Sequence, residues 1–241
     1  MFKKICLTLL ISGYLFEASN ASIASYNKVC KAHDRDCRLA SNLQIAFPYI
    51  ADGIPELGMP PAEPMKFENV TLQHEDFKLV LLNMDVISLK KCKFLDFNQN
   101  EVESTFKFTL DCPLKASGKY RFLGKIFIFD VDNEGDFTIQ TDSVKTTFDI
   151  KAEETQGTDG KKYWNLLGYN YSFDLEKIHI GLDNLFSGDI EPNNPFFTFF
   201  NKNWSSSSIE IGKPIADIST QYFFEVLQTF FLRVPIDQLV Y

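Results

Sequence analysis

From Met65 to about Leu182, apolar and polar positions alternate with a period of two, the pattern of half-buried strands. The clearest run places Val102, Ser104, Phe106, Phe108 and Leu110 on one face. Glu101, Glu103, Thr105, Lys107, Thr109 and Asp111 occupy the other. Tyr120, Phe122, Gly124, Ile126 and Ile128 alternate next, and Phe127 and Phe129 make the far end two-faced. Phe137 and Ile139 begin another strand, after which the phase shifts to Val144, Thr146, Phe148 and Ile150. Tyr169, Tyr171, Phe173 and Leu175 alternate, and the phase slips again before Ile178, Ile180 and Leu182. Such slips predict bulges or strong bends in long strands. Asn98-Gln99-Asn100, Asn133-Glu134-Gly135 and Thr158-Asp159-Gly160 read as the turns between runs. The pattern as a whole predicts long, curled antiparallel strands joined by short loops.

The ends of the chain follow a different period. Ser25 to Ala46 is the first structured piece, with Asp36 as the expected cap of a helix that carries Leu39, Leu43, Ala46 and Phe47. Pro48 is expected to end or kink it. The stretch Gly53 to Pro64 holds too many prolines and glycines for helix or central strand, and reads as a stiff connector lying on the body. Asn194 and Pro195 open a short, ring-rich helix with Phe196, Phe197, Phe199 and Phe200. A longer helix is expected from Pro214 to about Leu232, stopped by Pro235. Ile215, Ile218, Tyr222, Val226 and Phe230 form one stripe, and Phe223, Phe224, Leu227 and Phe231 widen it nearly all round. Only Asp217, Gln221, Glu225 and Gln228 stay polar, so this helix must be surrounded, and a twisted sheet wrapped around it would do so.

Composition adds an apolar interior to this picture. There are 24 Phe against 2 Trp and 4 Met. Phe carries no polar atom to satisfy, so this many rings fill a large core or line a cavity for an apolar guest. The start reads as a signal peptide: Lys3 and Lys4, the apolar run Ile5 to Phe16, then Ala18, Ser19 and Ala21. That run is short of the roughly 20 residues a bilayer span needs. Residues 1–21 are therefore expected to be a signal and residues 22–241 one secreted domain. The formal net charge is -8, and removal of Lys3, Lys4 and Glu17 makes it one unit more negative. That argues against nucleic acid or an anionic membrane surface as partner. Cleavage also removes Cys6 and leaves Cys30, Cys37, Cys92 and Cys112, for which sequence allows three disulfide pairings. Asn69, Asn170 and Asn203 head glycosylation patterns.

Catalytic and metal signatures are weak. His33, His74 and His179 are far apart in sequence, and no serine sits in a Gly-x-Ser-x-Gly elbow. Asp130, Asp132, Glu134, Gly135 and Asp136 imitate a calcium loop, but its twelfth position is Thr141 rather than Glu. The cysteine spacing suits zinc poorly. No enzyme, cofactor or metal is expected.

Several motifs carry a resemblance. Gly53-Ile54-Pro55-Glu56-Leu57-Gly58-Met59-Pro60-Pro61, the spacing of Cys30 and Cys37, Asn184-Leu185-Phe186-Ser187-Gly188, Asn203-Trp204 and Pro235-Ile236-Asp237-Gln238-Leu239 resemble the insect takeout and haemolymph juvenile-hormone-binding family over essentially the whole mature chain. The resemblance implies an α+β fold, a long and strongly curved antiparallel sheet wrapped around a long C-terminal helix with an internal apolar tunnel (a TULIP-like super-roll). It implies no catalysis and no cofactor, and guests that are terpenoid hormones or other lipophiles. It also supports a Cys30–Cys37 bridge. Cys92 and Cys112 flank the expected turn near Gln99, so their strands should be antiparallel neighbours and the pair is expected to be bridged. That second bridge differs from the hormone carrier's later cysteines and favours a takeout-like member. Pro192 and Pro195 interrupt a stretch that the family usually makes helical.

The reading that results is a carrier, monomeric and secreted, for a small lipophilic molecule. Its guest-facing wall is expected to include Phe223, Val226, Leu227 and Phe230, with Tyr222, Leu39 and Leu43. One hydroxyl, from a Tyr or a Thr, would hold the polar end, with Tyr120, Tyr171 and Tyr222 as candidates. The segment Cys30 to Ala51 is the expected gate. The competing hypothesis is a secreted interaction factor whose cavity is structural or filled by bulk lipid.

Overall fold

Two strands of this chain are too long to be straight. β4 (Thr105–Ile126) and β5 (Phe129–Gln156) form one antiparallel hairpin of 22 and 28 residues. At about 3.3 Å per residue, β4 alone would span about 70 Å if flat. A folded chain of this length has a radius of gyration of about 18 Å. The hairpin must therefore curl. The computed structural model describes residues 34–240 apart from 74, 101, 127–128, 176 and 186–203.

The hairpin is the spine of two half-sheets. One half adds β1 (Met65–Gln73) and β2 (Phe77–Ile87) to the later part of β4, and β7 (His179–Leu182) to the early part of β5. The other adds β3 (Lys93–Asn100) to the early part of β4 and β6 (Lys162–Leu175) to the later part of β5. The halves meet at a register shift. Cys112 pairs with Val144 but Leu114 with Thr141, so β5 holds one extra residue opposite Pro113. Proline has no N–H to give a ladder and suits such a bulge. Ser143 fixes the spot, donating its hydroxyl to Asp111 Oδ1 (2.6 Å) and its backbone N–H to Thr141 Oγ1 (3.3 Å). The buried positions change phase there, from Val131, Phe137, Ile139 and Thr141 to Phe148, Ile150 and Ala152. This is the slip legible in the sequence.

Three turn and strand assignments change. Val102 and Ser104 are outside β4: Val102 is 95% exposed, and Asn100 Oδ1 accepts from the N–H groups of Val102 and Glu103 (both 3.1 Å). The turn thus follows Asn100, and Asn98 and Gln99 stay in β3. Asn133-Glu134-Gly135 is no turn but part of β5, which pairs with β4 as far as Ile126↔Phe129. Gly135 is needed there because a Cβ would run into the Asp183 carbonyl. Thr158-Asp159-Gly160 is a turn, with Gly160 at φ +79°.

α1 (Arg35–Asp52) is capped by Asp34, which accepts from the Cys37 N–H at 3.0 Å, while Asp36 lies in the first turn. Pro48 does not end it: the helix runs four residues further, to Asp52. An interior proline costs about 3 kcal/mol. Here the ring is exposed, and burial of Leu39, Leu43, Phe47 and Ile50 on one face offsets it at about 1.5–3 kcal/mol per large side chain. The connector that follows makes a 3₁₀ turn at Pro55–Leu57 and buries Met59 and Ala62. Arg233 donates to the Leu57 carbonyl.

α2 (Trp204–Phe231) begins ten residues before Pro214, which lies inside it. It ends at Phe231, one residue before the expected end, and Pro235 lies between it and the short α3 (Ile236–Val240). Cys92 and Cys112 are disulfide-bonded, joining the start of β3 to β4. Cys37 is disulfide-bonded as well, and Cys30 lies outside the described residues. So do residues 1–21, the expected signal, and Asn194 to Phe200.

Candidate ligand-binding interior

α2 lies between two edges of the rolled sheet. On one side Tyr222 meets Phe67 of β1, ring centroids 6.2 Å apart. On the other, Phe224 stacks on Tyr169 of β6 at 4.8 Å, Gln228 donates to the Leu166 carbonyl at 3.1 Å, and Asp217 accepts from the Tyr171 hydroxyl. With successive residues about 100° apart, the face between these edges carries Gly212, Ala216, Ser219, Thr220, Phe223, Leu227, Phe230 and Phe231. It looks into the sheet.

This face changes in size along its length. Its later half is large and close-packed. Phe223 is one of five rings in a closed cycle drawn from five elements. Phe47 of α1 meets Phe94 of β3 at 5.0 Å, Phe94 meets Phe108 of β4 at 5.5 Å, Phe108 meets Phe148 of β5 at 5.3 Å, Phe148 meets Phe223 at 5.2 Å, and Phe223 returns to Phe47 at 5.8 Å. Centroid spacings of this order are those of favourable aromatic pairs. Beyond the cycle, Phe231, Phe106 and Trp164 form a triangle at 4.8–6.1 Å. The centre of the earlier half is small, Gly212, Ala216 and Ser219, with Lys213 and Ile215 at its margins.

The wall residues expected from sequence separate accordingly. Phe223, Leu227 and Phe230 are buried in the aromatic end, with Leu39 and Leu43 in the same core. Val226 and Tyr222 are half-buried on the side of α2 toward β1. Sequence reasoning did not single out Phe94 or Phe148 as lining residues, nor Ser219. Strand alternation marked Phe148 as inward, whereas nothing marked the serine.

Among the described residues, no charged one is fully buried. Among the described residues, the buried polar ones are Thr141 and Thr220, and Thr220 bonds the Ala216 carbonyl at 2.8 Å. Two of the three tyrosines expected to hold a guest are already engaged. Tyr120 donates to the Asp183 carbonyl at 2.6 Å, and burial, then the Asp183 charge, pushes its pKa up to about 12. Tyr171 is raised well above the usual phenol range by burial and by its bond to Asp217. Asp217 is held below the usual carboxylate value, chiefly by Lys213 at 2.8 Å and then by Tyr171. Tyr222 is raised by burial and by Glu225. His179 is exposed on β7, and His33 and His74 lie outside the described residues. Among the described residues no cluster of three or more His, Cys, Asp or Glu could hold a metal, and no helix is long and apolar enough to cross a membrane.

A strongly curved antiparallel sheet rolled around a helix, with an apolar interior, defines the super-roll class of lipophile-binding proteins. The chain belongs to the haemolymph juvenile hormone binding protein family, whose family model matches residues 5–241. It is similar to the circadian clock-controlled protein daywake of Drosophila melanogaster, 27% identical over 223 residues, which cover 88% of this chain and 85% of the relative. The Drosophila yakuba protein of the same name matches to the same extent. In fold it is similar to the crystal structure of Epiphyas postvittana Takeout 1, with TM-score 0.75 at 22% identity, covering 84% of this chain and 94% of that one. The family is one of binding proteins for lipophilic molecules rather than enzymes.

Proposed function

We propose that this protein is a secreted, monomeric carrier that holds one small lipophilic molecule, of juvenile-hormone, fatty-acid or similar type, between α2 and the rolled sheet. The observation that carries this reading is the interior itself: apolar side chains converge on it from all three helices and both half-sheets, with no buried charge among the described residues. A guest buried there gains about 0.8 kcal/mol per methylene, and micromolar to nanomolar affinity needs about 8–12 kcal/mol. The net charge of -8 and the Cys92–Cys112 disulfide support an extracellular, soluble role, with residues 1–21 as a removed signal and 22–241 as the mature domain. Asn69 and Asn170 are exposed on strands and open to glycosylation, and Asn203 lies outside the described residues. The test is mass spectrometry of small molecules extracted from protein purified from its native source. One defined lipophile supports the carrier. A mixture of bulk lipids, or none, favours a secreted interaction factor instead.

A further inference from the structure

Ser219 Oγ is buried and has no hydrogen-bond partner. This is unusual for a helical serine, whose hydroxyl readily bonds the carbonyl one turn back, as Thr220 beside it does. A buried hydroxyl without a partner is costly, and native structures seldom keep one. Its place in the fold suggests what would satisfy it. Ser219 lies on the inward face of α2, one turn before Phe223 and the five-ring cycle, and one turn after Ala216. Gly212 continues the same face two turns back. The side chains there are small, whereas Phe223, Leu227 and Phe230 further along are large and buried.

We propose that Ser219 is the polar anchor of the guest, its hydroxyl donating to an oxygen of an uncharged lipophile. This rests on the carrier reading and deepens it. The tail would run from Ser219 past Ala216 toward Gly212, about 10 Å along the helix at 1.5 Å per residue. An ionised guest is disfavoured because no charged residue is fully buried among the described ones. Half-buried Arg38 lies on the flank of α1 beside Asn42, which bonds the Leu239 carbonyl of α3, and it has partners of its own. The tyrosine hydroxyls of positions 120 and 171 are taken.

The experiment uses the mature protein loaded with N-phenyl-1-naphthylamine, an uncharged fluorescent probe. Methyl palmitate, palmitate and heptadecane then compete for it, in wild type and in Ser219→Ala. The wild type is expected to prefer methyl palmitate. Ser219→Ala should weaken methyl palmitate about two- to tenfold, the worth of one hydrogen bond, and leave heptadecane unchanged. The unliganded variant should melt no lower than wild type, because it loses an unpaired hydroxyl and gains a better helix former. A serine with a purely structural bond would instead lose thermal stability and keep its ester preference. Unchanged ester affinity, or equal loss for ester and alkane, overturns the anchor and leaves the carrier standing. Tighter binding of palmitate than of its ester overturns the uncharged-guest assignment. Failure of the wild type to bind the probe or any competitor overturns the carrier reading and the anchor with it.

Discussion

The side-chain amide of Gln44 in α1 accepts the backbone N–H of Phe94 in β3 at 2.8 Å. The same amide donates to the carbonyl of Cys92 at 2.9 Å. A glutamine thus acts as one peptide unit of a neighbouring strand and closes the start of β3 against α1. Two further bonds hold the helix: Asp36 accepts from the Gln99 N–H at 3.3 Å, and Asn42 donates to the Leu239 carbonyl at 2.7 Å. The segment expected from sequence to be the gate is therefore tied down at three points and packed through Phe47. Among the described residues it is the inward face of early α2, at Gly212, Ala216 and Ser219, that is less buried.

Replacing Gln44 by Leu strands one strand N–H and one carbonyl beside the core. Stability should fall by about 1–3 kcal/mol. Urea unfolding measures this, and amide exchange at Phe94 should quicken well beyond exchange in β6.

The Cys92–Cys112 bond closes a stretch with a sequence separation of 20 that contains the β3 turn. Removing it by the double Ala variant should cost about 3 kcal/mol, since a loop of that length restricts the unfolded chain by about that much. Reductant should destabilise the wild type by at least as much, because it also opens the disulfide of Cys37. A wild-type protein indifferent to reductant would contradict this.

Asp217 supplies an acid-side sensitivity. Its folded pKa is depressed, first by Lys213 and then by Tyr171, so its contribution is present above the unfolded value of 3.8 and lost as pH falls through the folded value. Melting curves taken from pH 5 down to about pH 2 should show a shallower decline for Asp217→Asn than for wild type. Parallel curves would mean that the Lys213–Asp217–Tyr171 cluster adds nothing.

On the alkaline side the sign reverses. Tyr120 is raised from 10.0 to about 12, so its neutral form is favoured in the folded protein. That stability is complete below pH 10 and disappears as pH climbs from 10 to about 12. Tyr120→Phe should be less stable at neutral pH, having lost the bond to the Asp183 carbonyl, yet flatter above pH 10.

Leu227 is 1% exposed in the aromatic end, whereas Ala216 is half-buried on the small-residue face. Enlarging them should give opposite results. Leu227→Trp should overpack and cost about 1–3 kcal/mol of stability. Ala216→Phe should cost less stability and suppress binding of an uncharged fluorescent lipophile. Thermal melts paired with probe titrations on both variants decide it.

The sequence made the sheet legible because a period of two survives wherever one face is buried, as in Phe106, Phe108 and Leu110. It even located the bulge, since the phase of inward residues changes where β5 gains its extra residue. Turn chemistry misled at Gly135. Glycine serves tight turns and close backbone contacts equally well, and only the neighbouring Asp183 carbonyl distinguishes them. The unbroken alternation Val131, Asn133, Gly135, Phe137 was the available sign of a continuing strand. Pro214 misled at α2 because proline is commonest at a helix start. Asp34 and Asp36 are chemically equivalent caps until helix phase is known. Ser219 was invisible for another reason: a lone serine among small residues has no periodicity, and an unsatisfied hydroxyl is a property of its surroundings rather than of the chain.

The five rings that meet at Phe223 come from five separate elements, and this has a consequence for how such an interior can evolve. Trimming one ring, Phe94 or Phe148, alters two contacts of the cycle and leaves the other three in place. Moving the whole cycle along the helix would require coordinated change in two helices and three strands. Local packing is thus adjustable by point substitution, while the position of the ring cluster is set by five elements at once.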